Sequence, residues 1–362
     1  MAIFYLKKTD FEDKERVVCE NGALRATAFR YSTGVCGLTV SNARGYFTVL
    51  PYNGHQIWRA SFDGIDLGMQ TEVQEPADTK AFVESYGCFM MHSGLCAVGI
   101  PGPEDAHNTH GDLPEASFEN ARIITGEDEG GVYLAIQGSY HHYRTFSVSY
   151  LFTATLKLYE NGTLIHLSVK IDNLRHAPLE YAYLCHINFR PMEGAKLIAS
   201  VVPDAKSYRV HKIIPPTLPE AEAKALRTYM DAMQKTPEVH LTVNKKTQVY
   251  DPEIVTTVYY KGDEDGMAYT MQQREDGYAC FVAHPINPFD NSLRWIARTS
   301  DEDAMGMVLP STAEHLGYTH AKKKGQMKTI AADSSISMNL KLGLLVPVEA
   351  EQMRAKIEKI LR

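Results

Sequence analysis

RTFSVSYLFTATLKLYENGTLIHLSVKIDNL, residues 144–174, is the stretch on which the fold class turns. Phe146, Val148, Tyr150 and Phe152 alternate with smaller or polar residues, the period of a half-buried strand. Asn161-Gly162 follows, a pair suited to the positive φ angles of a tight hairpin turn, and LIHLSVKI then alternates again. Successive strand side chains point to opposite faces, so both segments offer one apolar face to a core. The series continues with VYLAIQGSY before this stretch and YAYLCHINF after it, then HLTVNKKTQVY, EIVTTVYY, GYACFVAH and MNLKLGLLV. Helix is scarce. Thr217-Leu-Pro-Glu220 reads as a capping box with proline in the first turn, and Leu226, Tyr229, Met230 and Met233 follow at helical spacing. An amphipathic helix is therefore expected over 219–235, inside an insertion at 215–236. Met353, Ile357, Ile360 and Leu361 share a face and predict a C-terminal helix within 347–362. Many short strands between turn signals predict an all-β fold, a large antiparallel β-sandwich with a few short helices. One domain over 1–362 is expected, its first strands lying in 1–40.

Bulk composition narrows the function. The chain has 362 residues, 44% hydrophobic and 22% charged, enough for a sizeable core. A net charge of −7, with Lys322-Lys323-Lys324 the one basic run, argues against a nucleic-acid partner. The first residues lack the layout of a signal peptide and no apolar stretch is long enough to span a bilayer, so a cytoplasmic protein without membrane association is expected. The six cysteines form no CxxC pair and sit among apolar neighbours, as reduced core thiols do. Neither GxGxxG nor GxxxxGK[ST] occurs, so a nucleotide-phosphate cradle has no support.

The chemistry concentrates in GPEDAHNTHGDLPEA, residues 102–116, which holds two histidines and four carboxylates among glycines and prolines. Three readings compete: a metal site, a polar surface loop, and an acid–base site for a small polar substrate. For metal, Glu104, His107 and His110 recur at intervals of three with His92 upstream, but Gly102, Pro103, Gly111 and Pro114 make this a loop rather than a helix face. GxSxG is absent and the cysteines have no basic neighbour in sequence, so nucleophilic catalysis has little support. For acid–base work, histidine is the side chain whose ordinary pKa lies near neutrality, and a carboxylate is its usual partner. His110 precedes Gly111, which leaves room for a ligand. His186 ends an aromatic-rich strand as part of the polar run His186-Ile187-Asn188, with Tyr181, Tyr183 and Phe189 nearby.

SVKIDNLRHAPLEYAYLCHINF, residues 168–189, resembles the central segment of the aldose 1-epimerase (galactose mutarotase) superfamily. Val169, Asn173 and His186 hold the places of that family's motif residues, with Cys185 where the family usually has asparagine. THGDL, 109–113, is similar to the family's His-Gly element. The order NGHQIWRASFDG, YGCFMMHSGL and GPEDAHNTHGDLPEA is similar to a little-characterised branch of aldose epimerases, and the likeness runs over roughly residues 45–345. The resemblance implies the galactose mutarotase-like supersandwich and an isomerase that interconverts sugar anomers without a cofactor. It implies His186 as the acid at the ring oxygen, His110 as the second imidazole polarising the sugar, and a glutamate as base. Leu309 stands where the family carries that glutamate. Glu314 is the nearest replacement, with Asp251 and Glu253 as further candidates. Gln56, Trp58, Arg59, Glu104, His107 and Trp295 are the expected sugar-binding residues. Two alternatives stay open: a non-catalytic carbohydrate-binding protein on the same scaffold, and a metal-dependent sugar isomerase using His92, His107, His110 and Glu104. The sugar and the oligomeric state are not given by the sequence.

Overall fold

The computed structural model describes residues 1–362. Two nine-stranded antiparallel sheets form the sandwich and a four-stranded sheet extends it. The first sheet runs, in spatial order, Ala2–Tyr5, Glu119–Asp128, Gly131–Arg144, Val148–Tyr159, Leu164–Asn173, Ser335–Leu345, Ala279–Pro285, Met267–Gln273 and Lys196–Ala199. The second runs Arg16–Asn21, Leu24–Arg30, Cys36–Asn42, Gly45–Val49, Ile57–Phe62, Met90–Leu95, Leu179–Ile187 and Lys328–Ile330, with Ile65–Asp66 attached beside Ile57–Phe62. The small sheet contains Tyr208–His211, Ile254–Val258, Leu293–Arg298 and Asp303–Leu309.

Alternation decides which residues meet. Tyr150, Phe152, Ala154, Leu156 and Leu158 are all buried while the residues between them are partly exposed. They join Ala26, Ala28, Leu38, Val40 and Phe47 of the facing sheet in one continuous apolar cluster. Such burial is the main stabilising term of a sandwich, at about 25 cal/mol per Å² of apolar surface. Two details of the opening stretch depart from expectation. The strand starts at Val148, and Phe146 is a 98% exposed hairpin-tip residue with φ 69°. The turn at Asn161-Gly162 uses no positive φ. Instead the Gly162 N–H donates to Tyr159 O at 3.0 Å, because the connection is four residues long and admits an ordinary turn.

Three α-helices punctuate the sheets. Helix α1, Glu220–Lys235, buries Ala223, Leu226, Met230 and Met233. Its N-cap is Pro219 with no side-chain cap, so the expected Thr217 capping box does not form. Helix α2, Gly317–Lys323, was not expected from the sequence; seven residues give too short a period to read. Helix α3, Pro347–Leu361, sets Ala350 and Ile357 against Tyr269, Met271 and Phe281 on the outer face of the first sheet. No helix is long and apolar enough to cross a membrane.

Candidate functional site

The loop 102–116 is divided among separate tasks. Asp105 accepts from Gly102 N (3.0 Å), Thr319 N (3.0 Å) and Thr319 Oγ1 (2.5 Å), which docks the loop on α2. Those hydrogen bonds hold its carboxyl down at about 2, against the burial that opposes them. His107 accepts the Tyr318 N–H at Nε2 (3.3 Å) and donates from Nδ1 to Asn108 O (2.8 Å), a second clamp on the same helix. Gly317 has φ 82° and lies so close to Asp105 that a Cβ there would meet its carboxylate at 2.3 Å. Asp112 accepts from Cys96 N (2.9 Å) and from the Tyr150 hydroxyl. Glu104 is exposed, 3.7 Å from Lys323. His107 and Glu104 are therefore scaffold and surface rather than contacts of the imidazole pair described next.

His110 is the titratable residue of the loop whose ring meets His186. It has φ 60°, a left-handed conformation rare outside glycine, held by His110 N–H to Gly99 O and Gly94 N–H to His110 O, both 2.8 Å. A Cβ at Gly111 would meet Gly94 O and Ala97 O at 2.5 Å, so the neighbour must be glycine. The His110 ring lies 5.2 Å from the His186 ring, nearly perpendicular, and 5.0 Å from Phe82. Two imidazoles 76 residues apart in the chain thus meet in space.

His186 stands at the end of Leu179–Ile187, 4% exposed. Its Nδ1 lies 2.7 Å from Asn188 Oδ1. Asn188 Nδ2 donates to Cys88 O (3.0 Å), which fixes the amide so that Oδ1 accepts, from His186 Nδ1–H and from the Tyr86 hydroxyl at 3.2 Å. His186 Nε2 is left without a protein partner and is the nitrogen available to a ligand. Burial lowers the His186 pKa to about 4, with the Asn188 hydrogen bond opposing. Burial and the neighbouring imidazoles of His186 and His107 push His110 well below its ordinary value. Both rings are neutral at pH 7.

One face of the small sheet closes the site. Trp295 lies 5.3 Å from the His186 ring and 6.0 Å from Tyr86, and its indole N–H donates to Glu253 Oε2 at 2.5 Å. Val255 pairs with Trp295 on one side and His211 on the other, so His211 belongs to the same face. The His211 ring meets the His315 ring at 4.8 Å, and its Nε2 is 2.8 Å from Thr257 Oγ1. Burial lowers His315 to about 3, with His211 and His110 adding to the effect. Glu314, 1% exposed, sits beyond them with Oε2 held at 2.6 Å by both Arg209 and His320. Burial works to raise its carboxyl, but His320, Arg209 and His211 outweigh it and hold it below its ordinary value. The site therefore has two carboxylates. Glu314 is tied into an ion-pair network beside His211, and Glu253 is partly exposed and tied only to Trp295.

The early-strand residues support the site from behind. Trp58 is 1% exposed and donates to Gln74 O at 3.2 Å. Arg59 stacks on Trp58 and donates to the carbonyls of Trp58, Val73, Gln74 and Gly87. Gln56 donates to Pro114 O (2.8 Å) and Glu115 (3.3 Å). These three donors are spent on protein: Trp58 and Arg59 hold Val73, Gln74 and Gly87 on either side of the segment carrying Phe82 and Tyr86, and Gln56 holds the end of the 102–116 loop. Leu309 ends its strand inside an apolar cluster with Trp295 and Leu293. His92 is sealed in the core, bonded to Tyr183. No three His, Cys, Asp or Glu side chains converge as metal ligands do.

Of the residues expected from sequence, His110, His186 and Trp295 come together and Glu314 lies one imidazole pair away. Sequence reading missed Phe82, Tyr86, Arg209, His211, His315 and His320. One signal was present: Arg209 and His211 occupy alternate positions of an edge strand, hence one face.

Comparison with known proteins agrees with this architecture. The family model described as "Domain of unknown function (DUF4432)" matches residues 32–344. No curated protein matches the chain. Among solved structures, a "putative aldose 1-epimerase" from Klebsiella pneumoniae superposes with TM-score 0.81 at 15% identity, covering 100% of this chain and 96% of that one. A galactose mutarotase-like protein from Clostridium acetobutylicum gives TM-score 0.57 at 11% identity, with 90% and 99% covered. Another from Lactobacillus casei gives 0.53 at 13%, with 85% and 100% covered. At these identities the likeness establishes the fold: an all-β sandwich of the galactose mutarotase-like kind.

Proposed function

The chain belongs to that family of unknown function, and on this premise we propose that it is an aldose 1-epimerase-type isomerase acting on a free or modestly substituted sugar. The observation that carries the reading is the contact of His110 with His186 beside Trp295, with the Glu253 carboxylate on the indole N–H. Ring opening needs one proton removed from the anomeric hydroxyl and one delivered to the ring oxygen. The imidazolium form of His186, a minor species at pH 7, keeps its Nδ1–H on Asn188, donates its Nε2 proton to the ring oxygen and becomes neutral. His110, neutral, polarises the same oxygen. A carboxylate takes the anomeric proton as the bond from C1 to the ring oxygen breaks and the C1 carbonyl forms. After rotation about C1–C2 the carboxylate returns its proton to O1, and His186 recovers the ring-oxygen proton as the bond re-forms.

Glu253 is the better base than Glu314. A carboxylate locked to a guanidinium and an imidazole is stabilised in its charged form and is the weaker proton acceptor. Trp295 and Tyr86 supply apolar surface for a sugar face. The reading treats residues 1–362 as one unit, with 215–236 an insertion and the C-terminal helix packed on its outside.

Polarimetry or NMR on freshly dissolved single anomers of a panel of aldoses tests this. The expected result is faster relaxation to the anomeric equilibrium for at least one sugar. A sugar that raises the melting temperature without accelerating relaxation would make the protein a carbohydrate-binding module instead.

A further inference from the structure

The bonding of the buried histidines separates core from site. His92 and His284 each have one ring nitrogen bonded, to Tyr183 (2.8 Å) and Ser292 (3.4 Å), and the other sealed without a partner. His240 is bonded to Arg294 (2.7 Å) with Nδ1 sealed, and both nitrogens of His55 are sealed. His186, His211 and His315 differ. Each is buried yet keeps one nitrogen that is neither bonded to protein nor sealed: Nε2 in His186 and His315, Nδ1 in His211. These three border one cleft. Trp295 meets His186 at 5.3 Å, His186 meets His110 at 5.2 Å, and His315 meets His211 at 4.8 Å. Gly99 joins the two halves: its carbonyl accepts the His110 N–H (2.8 Å), and Ile100 N–H donates to His315 O (2.9 Å). Gly99 has φ 77°, and a Cβ there would meet His315 O at 1.8 Å, so glycine is what brings the backbone of His315 beside that of His110. His211 leads back to Trp295 across Val255 on one face of the small sheet.

Trp295, Val255, His211 and His315 keep 7–9% exposure, as the walls of a narrow cleft do, whereas His55 and His92 keep none. The His315 ring is neutral at pH 7 and its Nδ1 is sealed. An orphaned buried N–H is rarer than an orphaned acceptor, so the single proton sits on Nε2. His315 Nε2–H is therefore a donor that no protein atom uses. The ring stands edge-on to His211, which Thr257 Oγ1 holds through Nε2 at 2.8 Å. Trp295 and His211 lie two strand spacings apart, about 10 Å. One pyranose with a hydrogen bond at each end spans that length. With the ring oxygen at His186, the far hydroxyls of the sugar come to the His315 end. Resting on the epimerase reading, we propose that His315, positioned by His211, is the specificity-determining residue of the sugar site and donates from Nε2 to a hydroxyl on the carbons remote from C1.

The test follows anomer relaxation by NMR for wild type and His315→Leu, on the sugar found active and on its monodeoxy analogues. His315→Leu is expected to raise KM about tenfold and leave kcat within about threefold, because a contact made equally in ground and transition states is lost. Wild type should turn over one monodeoxy sugar, the one lacking the hydroxyl that His315 reads, with kcat/KM at least about tenfold lower than the parent. His315→Leu should treat that sugar and its parent alike. His315→Gln keeps an N–H in place of Nε2 and should return KM to within about threefold of wild type. Unchanged KM in His315→Leu, a loss confined to kcat, or discrimination that survives the substitution overturns the proposal. Where His315→Leu does not fold, His315→Phe keeps a ring against His211 and gives the same readout. If wild type binds a sugar without relaxing it, a calorimetric Kd takes the place of KM in the same comparison. Wild type that neither relaxes nor binds any sugar overturns the epimerase reading and this inference together, whereas wild-type turnover with an unaltered variant overturns this inference alone.

Discussion

Two histidine pairs lie within the second sheet and its loops, and they have opposite characters. His110 and His186 face each other at 5.2 Å; His55 and His92 do so at 6.4 Å. Both pairs are neutral because burial lowers their pKa values. Their surroundings differ. His55 and His92 are 0% exposed, stacked on Phe118 and edge-on to Phe152, with one hydrogen bond between them, to Tyr183. His186 instead has an oriented amide fixing its tautomer, a nitrogen free of protein, and the partly exposed Phe82, Tyr86 and His110 around it. An imidazole becomes a candidate catalyst through what holds one nitrogen and what leaves the other open.

Substitution of His186 should separate the pairs most sharply. His186→Ala is expected to lower kcat for mutarotation by about 10²–10⁴ with little change in sugar affinity, whereas His92→Leu should leave kcat within about twofold. Equal turnover by His186→Ala, measured by polarimetry, would break the assignment. The two carboxylates sharpen it next. Glu253→Gln is expected to cost about 10²-fold in kcat, while Glu314→Gln should cost less than about tenfold and act mainly on stability through Arg209 and His320. The reverse ranking would return the base to Glu314.

The pH profile follows from the His186 value. Its protonated form delivers to the ring oxygen, and its folded pKa is about 4, so kcat/KM should fall as pH rises above that value. A profile flat from pH 5 to 8 would remove His186 as the acid. Stability runs the other way. His55, His186, His211, His284 and His315 are all lowered from 6.5 to about 3 or 4, chiefly by burial. Protons therefore bind preferentially to the unfolded chain. The stability due to these rings is present above about pH 6.5 and is lost as pH falls towards 4, at about 1.4 kcal/mol per pH unit for each ring. Urea titrations at pH 7.5 and 5.0 should show a marked drop. The smallest effect is that of His92→Leu itself, which strands the Tyr183 hydroxyl and should cost about 1–3 kcal/mol. A loss of activity without that loss of stability would give the core pair a role it is not assigned.

Periodicity carried most of the fold because alternation is a local property: Tyr150 to Leu158 face the core in the register their sequence predicts. Even the C-terminal helix is legible in its apolar stripe. The site was legible in part. His110 precedes Gly111 in the His-Gly element, His186 opens the polar run that ends at Asn188, and Trp295 is one of only two tryptophans. Glu253 could be named as a carboxylate but not ranked, since its rank depends on Trp295 reaching it and on Arg209 and His320 reaching Glu314. The loop 102–116 shows the same limit, because its six titratable side chains read alike in sequence and only packing against α2 tells Asp105 and His107 from His110.

The sequence by itself determined the antiparallel sandwich and the presence of acid–base side chains in it, because strand period and residue type are written residue by residue. Tertiary structure alone decided which histidines meet, which carboxylate stays unpaired and which ring nitrogens are left open. Those properties arise from desolvation and from partners that are tens to hundreds of residues away in the chain.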